Sequence, residues 1–185
     1  MMKKIFFIAV VSLAVGVSGC TSWTQLTGRE YQEKGKGFKA EMPQDWMRYN
    51  MGPHFMMTKD GTTLDIIFIE RAKFDKKLEH TKKKYLQGMT IQELAEIEID
   101  NIRSNGDIDK FQLISNQPVT LDGQSAFKME YTYVFLLERL KIHAIHYGFI
   151  KDEWIYRIRF EAAEQHYFKK TRPDFERFIN SFKLI

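Results

Sequence analysis

The chain has 185 residues, with 28 Lys and Arg against 24 Asp and Glu, a formal net charge of +4, and it is 44% hydrophobic, 14% aromatic and 28% charged. That length suits one folded unit, and the balance of apolar and charged residues excludes a disordered chain and a polytopic membrane protein. The single cysteine, Cys20, excludes an intramolecular disulfide, a zinc knuckle and a Cys-x-x-Cys redox pair.

The N-terminus reads as an address. Lys3 and Lys4 precede an apolar run from Ile5 to Val15, about the length of a secretory leader core and short of the roughly 20 residues that span a bilayer. Small residues then lead into Val17-Ser18-Gly19-Cys20. This tetrad resembles the lipobox of bacterial lipoproteins, which implies cleavage before Cys20 and a diacylglycerol on its thiol. Residues 1–19 are then a signal peptide, and the mature chain sits on a membrane outside the cytoplasm, held by acyl chains such as palmitate. Each buried methylene contributes about 0.8 kcal/mol, so several chains on one residue make a stable anchor. Thr21 stands where an aspartate would, by the same resemblance, imply retention at the inner membrane, so the outer membrane is favoured. Losing Lys3 and Lys4 lowers the net charge to +2, too weak an imbalance for nucleic acid as a partner. Residues 20–36 are polar and unpatterned, with Gly28 and Gly35; they read as a lipidated tether with an end-to-end distance of roughly 20 Å.

From Gly37 the pattern turns to period two. Phe38, Ala40 and Met42 alternate with Lys39 and Glu41 up to Pro43, which predicts a strand ended by a residue that cannot donate to a ladder. Phe55–Thr58 and Thr63–Glu70 flank Lys59-Asp60-Gly61, a hairpin signal. Thr90-Ile91-Gln92-Glu93 fits a capping box and predicts a helix with Ile91, Leu94, Ala95 and Ile102 on one face, closed by Gly106. Phe111–Leu121 and Ser125–Leu137 flank Asp122-Gly123, and Phe127, Met129, Tyr131, Tyr133 and Phe135 share one face of the second strand. Lys141–Ile150 and Trp154–Ala162 predict another hairpin, and a last helix capped by Thr171, with Asp174 three residues on, buries Phe175, Phe178 and Ile179. The order predicts an α+β fold, a mainly antiparallel sheet flanked by helices. Trp46 is expected to share one core with Phe127, Met129 and Tyr131.

Gly37-Phe38 leading to Met42-Pro43 and Trp46, the strand ending Leu121-Asp122-Gly123-Gln124-Ser125-Ala126, the long aromatic strands and the ending Ile179-Asn180-Ser181-Phe182 together resemble the PsbP-like fold. The likeness covers residues 37–185. It implies an α/β/α sandwich, found in the photosystem II extrinsic protein and in many bacterial lipoproteins, and a binding or assembly role without catalysis or cofactor.

The remaining candidates are few. His143-x-x-His146 would put its rings on opposite sides of a strand, unfit to share one ion. Gly123-Gln124-Ser125 lacks the closing glycine of a nucleophile elbow and sits at a hairpin, which argues against a hydrolase. Between Arg71 and Lys84 the net charge is +5, and Lys76, Lys77, Lys82, Lys83 and Lys84 could meet an anionic surface, although a solvated face on a linker helix packed through Leu78 and Tyr85 is the plainer explanation. Met42, Met47, Met51, Met56 and Met57 cluster in sequence with His54; thioethers suit soft metals, but methionines also fill cores. The reading is a non-catalytic envelope lipoprotein with a protein or small-ligand partner near the membrane. The alternative is a periplasmic metal-handling protein using the loop over residues 42–57.

Overall fold

The computed structural model describes residues 22–185. The chain runs through β1 (Trp23–Thr27), β2 (Glu30–Glu33), β3 (Phe38–Glu41), β4 (Gln44–Tyr49), β5 (Phe55–Thr58), β6 (Asp65–Lys73), α1 (Ile91–Arg103), β7 (Ile108–Leu121), β8 (Gln124–Phe135), β9 (Leu140–Lys151), β10 (Trp154–Ala163), α2 (Tyr167–Ser181) and β11 (Lys183–Leu184). Eight strands form one sheet in the order β1-β4-β5-β6-β10-β9-β8-β7, and β11-β3-β2 form a small second one. Every pair is antiparallel. The α+β class and the helix-flanked antiparallel sheet are as the sequence predicts.

Period-two alternation along the long strands gives the sheet two different faces. On one, Phe149, Ile158 and Phe160 meet α2 through Phe175 and Phe178, with Phe182 just beyond it, in a core that also holds Trp46, Phe38 and Phe55. Phe160 stacks on Phe175 with centroids 5.0 Å apart. The Trp46 indole N–H donates to Asp174 Oδ2 at 2.9 Å, tying β4 to α2. On the other face Phe127, Met129, Tyr131, Ala144 and Ile155 meet α1 through Leu94, Ala95 and Ile97. Trp46 and the Met129 row are therefore in two cores, not one. Both sets alternate as expected, but a sheet covered on both faces sends them to opposite sides.

Several local expectations shift. The capping box is present, with Glu93 N–H donating to Thr90 Oγ1 and Thr90 N–H donating to Glu93, but α1 closes at Ser104 rather than at Gly106. Thr171 lies inside α2 and not at its start: its hydroxyl donates to the Tyr167 carbonyl at 2.8 Å, and Asp174 is occupied by Trp46 and by Lys59 at 3.0 Å. The segment 76–85 is not a helix. Lys77 and Lys84 form an antiparallel bridge, Leu78 N–H donates to the Lys83 carbonyl, and Leu78 and Tyr85 are buried as anticipated. The stretch read as a tether carries β1 and β2. Trp23 pairs with Tyr49 on the rim of the large sheet, and only Leu26 of β1 is buried, so an edge strand left no apolar alternation to read.

Candidate functional site

The α1 face of the sheet is not apolar throughout. Register aligns Glu70 on β6 with Arg157 on β10, which is itself opposite Gly148 on β9. One row along, Phe68, Arg159, His146 and Met129 are in line, and beyond them Ile66, Glu161, Ala144 and Tyr131. α1 closes over these rows with Glu98, which is 2% exposed. A row of charge thus lies between a helix and a sheet, where each ion must find its counter-ion or cost several kcal/mol.

The ions are paired in a chain. Arg157 reaches Glu70 Oε2 at 2.7 Å and Glu98 Oε2 at 3.6 Å, while Arg159 reaches Glu70 Oε2 at 3.8 Å and Glu161 Oε1 at 3.4 Å. The remaining carboxylate oxygens accept from neighbours: Glu98 from the Tyr85 hydroxyl, Glu161 from the Tyr133 hydroxyl at 3.1 Å, and Glu70 faces His54 Nε2 at 3.4 Å. Burial, then the negative charge of Glu98, pushes the Tyr85 phenol well above its ordinary range, and burial with Glu161 does the same to Tyr133, so both stay protonated as donors. Burial alone would lower the guanidinium of Arg157, but Glu98 and other anions around it raise it instead.

What is left over is a set of buried polar atoms. Arg157 Nε, Arg159 Nε, the Tyr131 hydroxyl and both ring nitrogens of His146 are buried without a partner in the protein. Tyr131 is 1% exposed and His146 0%. Burial, then the positive charges of Arg159 and Arg157, holds the His146 imidazole well below its ordinary value and therefore neutral. Next to these groups is a cavity of about 200 Å³ lined by Tyr131, Tyr133, Arg157, Arg159, Asn101 and Ile108. Glu79, His80 and Asn105 also line it, and the Glu79 side chain is 84% exposed. A buried polar atom without a partner costs about 1–3 kcal/mol, so this row is a strained part of the fold next to the cavity.

A family model described as PsbP-like protein matches residues 21–184. The chain belongs to the PsbP-like family. Its fold is similar to the solution structure of cyanobacterial PsbP (CyanoP) from Synechocystis sp. PCC 6803, with a TM-score of 0.56 at 15% identity over 92% of this chain and 96% of that one. A crystal structure from Bacteroides thetaiotaomicron VPI-5482 has a TM-score of 0.53 at 15% identity, covering 86% of this chain and 49% of that one. No curated protein sequence matches. The family match begins ahead of β1, so in this PsbP-like chain β1 and β2 belong to the matched unit.

The PsbP-like domain places the sequence candidates as follows. Cys20 lies outside the described residues. Lys76, Lys77, Lys82, Lys83 and Lys84 are all exposed on the 76–85 hairpin, and Lys83 pairs with Asp100 of α1. Lys76 and Lys77 also line a second cavity of about 270 Å³ with His54, Glu70 and Arg157, so the basic segment borders the arginine site. The methionines disperse. Met42 and Met57 are in the α2-side core, Met47 and Met56 are on the opposite face of their strands, and Met51 is 56% exposed. His143 stacks on Phe168 at 3.6 Å on the α2 side, while His146 lies under α1, so the pair is split as expected. Among the described residues no group of three His, Cys, Asp or Glu side chains could hold a metal ion, and no helix is long and apolar enough to cross a membrane.

Sequence reading missed the arginine site. Arg157, Arg159 and Glu161 alternate with Tyr156, Ile158 and Phe160, the pattern of a strand with one solvated face. Glu98 held the available signal: it falls four residues after Leu94 and four before Ile102, on the apolar stripe of α1. A carboxylate there is buried, and a buried carboxylate calls for a cation opposite.

Proposed function

We propose that this PsbP-like chain is a non-catalytic lipoprotein of the cell envelope, anchored through Cys20 with the outer membrane favoured, and that its domain holds a small ligand in the cavity beneath α1. The observation that carries the binding role is the cavity of about 200 Å³ beneath α1, on which the paired charges of Arg157, Arg159, Glu70, Glu98 and Glu161 converge. The anchor is supported by the basic, apolar and small segments that lead in order to Val17-Ser18-Gly19-Cys20. The exposed lysines of the 76–85 hairpin supply an anionic-surface contact, each contributing about 1 kcal/mol near charged headgroups. The dispersal of the methionines speaks against metal handling.

Two measurements test this reading. Cys20→Ser should move the protein from the membrane to the soluble envelope fraction, and retention through high-salt and carbonate washing would place the anchor elsewhere. For the binding role, the purified protein is incubated with an aqueous envelope extract, desalted and denatured, and the released small molecules are identified by mass spectrometry. Glu79→Trp, a change at an exposed position bordering the cavity, should abolish their retention. Equal recovery from both proteins, or none from either, would remove the cavity as a binding site.

A further inference from the structure

The end of the large sheet at which β1 begins holds a separate group of exposed side chains. Because every pair is antiparallel, the start of β1, the β4–β5 connection and the exit from β6 toward the 76–85 hairpin share that end, and the β8–β9 turn lies at the other. Ser22, two positions after Cys20, is already held by the β4–β5 connection: its carbonyl accepts from Asn50 N–H at 2.8 Å, and the Asn50 side-chain amide donates to Thr24 Oγ1 at 2.8 Å. Met51 is the next residue and is 56% exposed. Gly52 and Pro53 beside it are exposed as well, so the loop offers a thioether arm and no charge of its own.

Cations surround this loop. Lys36 donates to the Pro53 carbonyl, and Lys76 and Lys77 border one cavity together with His54. Burial lowers the His54 imidazole below its ordinary value against the pull of Glu70, and the charges of Lys36 and Lys76 lower it further, so both ammonium groups are close to the loop. Lys83 is paired with Asp100, whereas Lys76 and Lys77 are exposed and make no ion pair among the described residues. The acids of that cavity are Glu70, held by Arg157, and Glu79, which His80 faces at 3.9 Å. The other exposed apolar tip, Leu136-Leu137, is far away. Register sets Trp23 level with Met129, and β8 runs on for roughly 20 Å from that row to Phe135.

We propose that the 50–53 loop is a second, non-covalent contact with the bilayer, in which the Met51 side chain enters the headgroup layer beside the acyl chains and Lys36, Lys76 and Lys77 lie over the phosphates of anionic lipid. The proposal rests on the Cys20 anchor and adds the face of the domain that meets lipid. Lipid is the occupant because a chain fixed at Ser22 brings the Met51 loop to the surface before Leu137 can reach it. The side chains suit such a surface: a thioether arm adapts to uneven apolar surroundings, and a lysine stem lies along them while its ammonium stays in water.

The test uses the full-length lipidated protein in vesicles of phosphatidylethanolamine with phosphatidylglycerol, and in phosphatidylcholine vesicles as the neutral arm. Met51→Cys is labelled with a thiol-reactive, polarity-sensitive fluorophore, and Leu137→Cys, at a position 84% exposed on the opposite end of the sheet, is the matched probe. The unsubstituted protein should take no label, because the thiol of its single cysteine is alkylated; label on Cys20 would overturn the anchor and this contact with it. In anionic vesicles the Met51→Cys probe should shift its emission to the blue and be quenched by brominated acyl chains, and the Leu137→Cys probe should do neither. Lys76→Gln with Lys77→Gln should lower the lipid-inserted fraction of the Met51→Cys probe by roughly fivefold for each lysine removed. The melting temperature should stay unchanged, since both positions are exposed. An unresponsive Met51→Cys probe on a protein that still floats with the vesicles would overturn the contact and leave the anchor standing. An equal or larger response from Leu137→Cys would put another face on the lipid and overturn it as well. Equal signals in both kinds of vesicle, or no effect of the double lysine substitution, would overturn the anionic contact.

Discussion

Gly148 is the position where the packing of the α1 face can be tested most sharply. A Cβ built on it would lie 2.3 Å from Phe127 Cε1 and 2.4 Å from Cζ, where ordinary contact is 3.4–4 Å. The Phe127 ring thus covers the bare backbone of the neighbouring strand, and it is 2% exposed. In Gly148→Ala the ring must move by more than an ångström. Beside it is a cavity of about 330 Å³ bordered by Ile91, Ala95, Asn116 and Pro118, so the ring has somewhere to go but leaves its contacts with α1. Overpacking costs about 1–3 kcal/mol, and relief of the glycine penalty in a strand returns about 0.5–1 kcal/mol. The net loss expected is about 1–2 kcal/mol, which for a domain of this size lowers the melting temperature by about 2–8 °C. Chemical denaturation of a double-mutant cycle checks the cause. In a Phe127→Ala background the same Gly148→Ala change should become neutral or stabilising, because the clash has gone and the strand preference remains. An equal loss in both backgrounds would show that Gly148 is constrained by something other than the Phe127 ring, and the account of that face would be wrong.

Two further outcomes follow from the buried polar groups. His146 is neutral in the folded state and titrates normally when unfolded, so below pH of about 6.5 the unfolded state binds the extra proton and stability falls with pH, by up to about 1.4 kcal/mol per unit. His146→Phe should flatten that slope while leaving stability at pH 7 unchanged or higher; urea melts between pH 7 and 5 giving parallel slopes would refute it. Trp46→Phe removes the indole donor from Asp174, which keeps Lys59 and Arg177, and should cost about 1.5–3 kcal/mol as a hydrogen bond to a charged group; a loss under about 0.5 kcal/mol would mean that the bond contributes nothing net.

The parts of the fold that were legible are those where one residue type does one job. Asp122-Gly123 fixes its hairpin because both residues take positive φ, 46° and 75°. Thr90 and Glu93 fix the start of α1 because each satisfies the other's backbone. What stayed hidden depends on partners far along the chain. Asp174 looks like the acidic half of a helix cap, and only Trp46, 128 residues away, shows otherwise. Arg157 and Arg159 look solvated until α1 is placed over them. β1 shows no pattern because an edge strand buries little, and β2 is hidden for the same reason. The candidate site was accordingly the least legible element, since its residues come from β6, α1, β8, β9 and β10 and meet only in the folded sheet.

The position of β1 bears on the proposed attachment through Cys20. With acyl chains on Cys20, only Thr21 and Ser22 intervene before Trp23 pairs with Tyr49, a reach of at most about 11 Å. The rim of the sheet would rest on the headgroups, with the Trp23 and Tyr49 rings, 4.9 Å apart, at the depth where indole and phenol side chains gather.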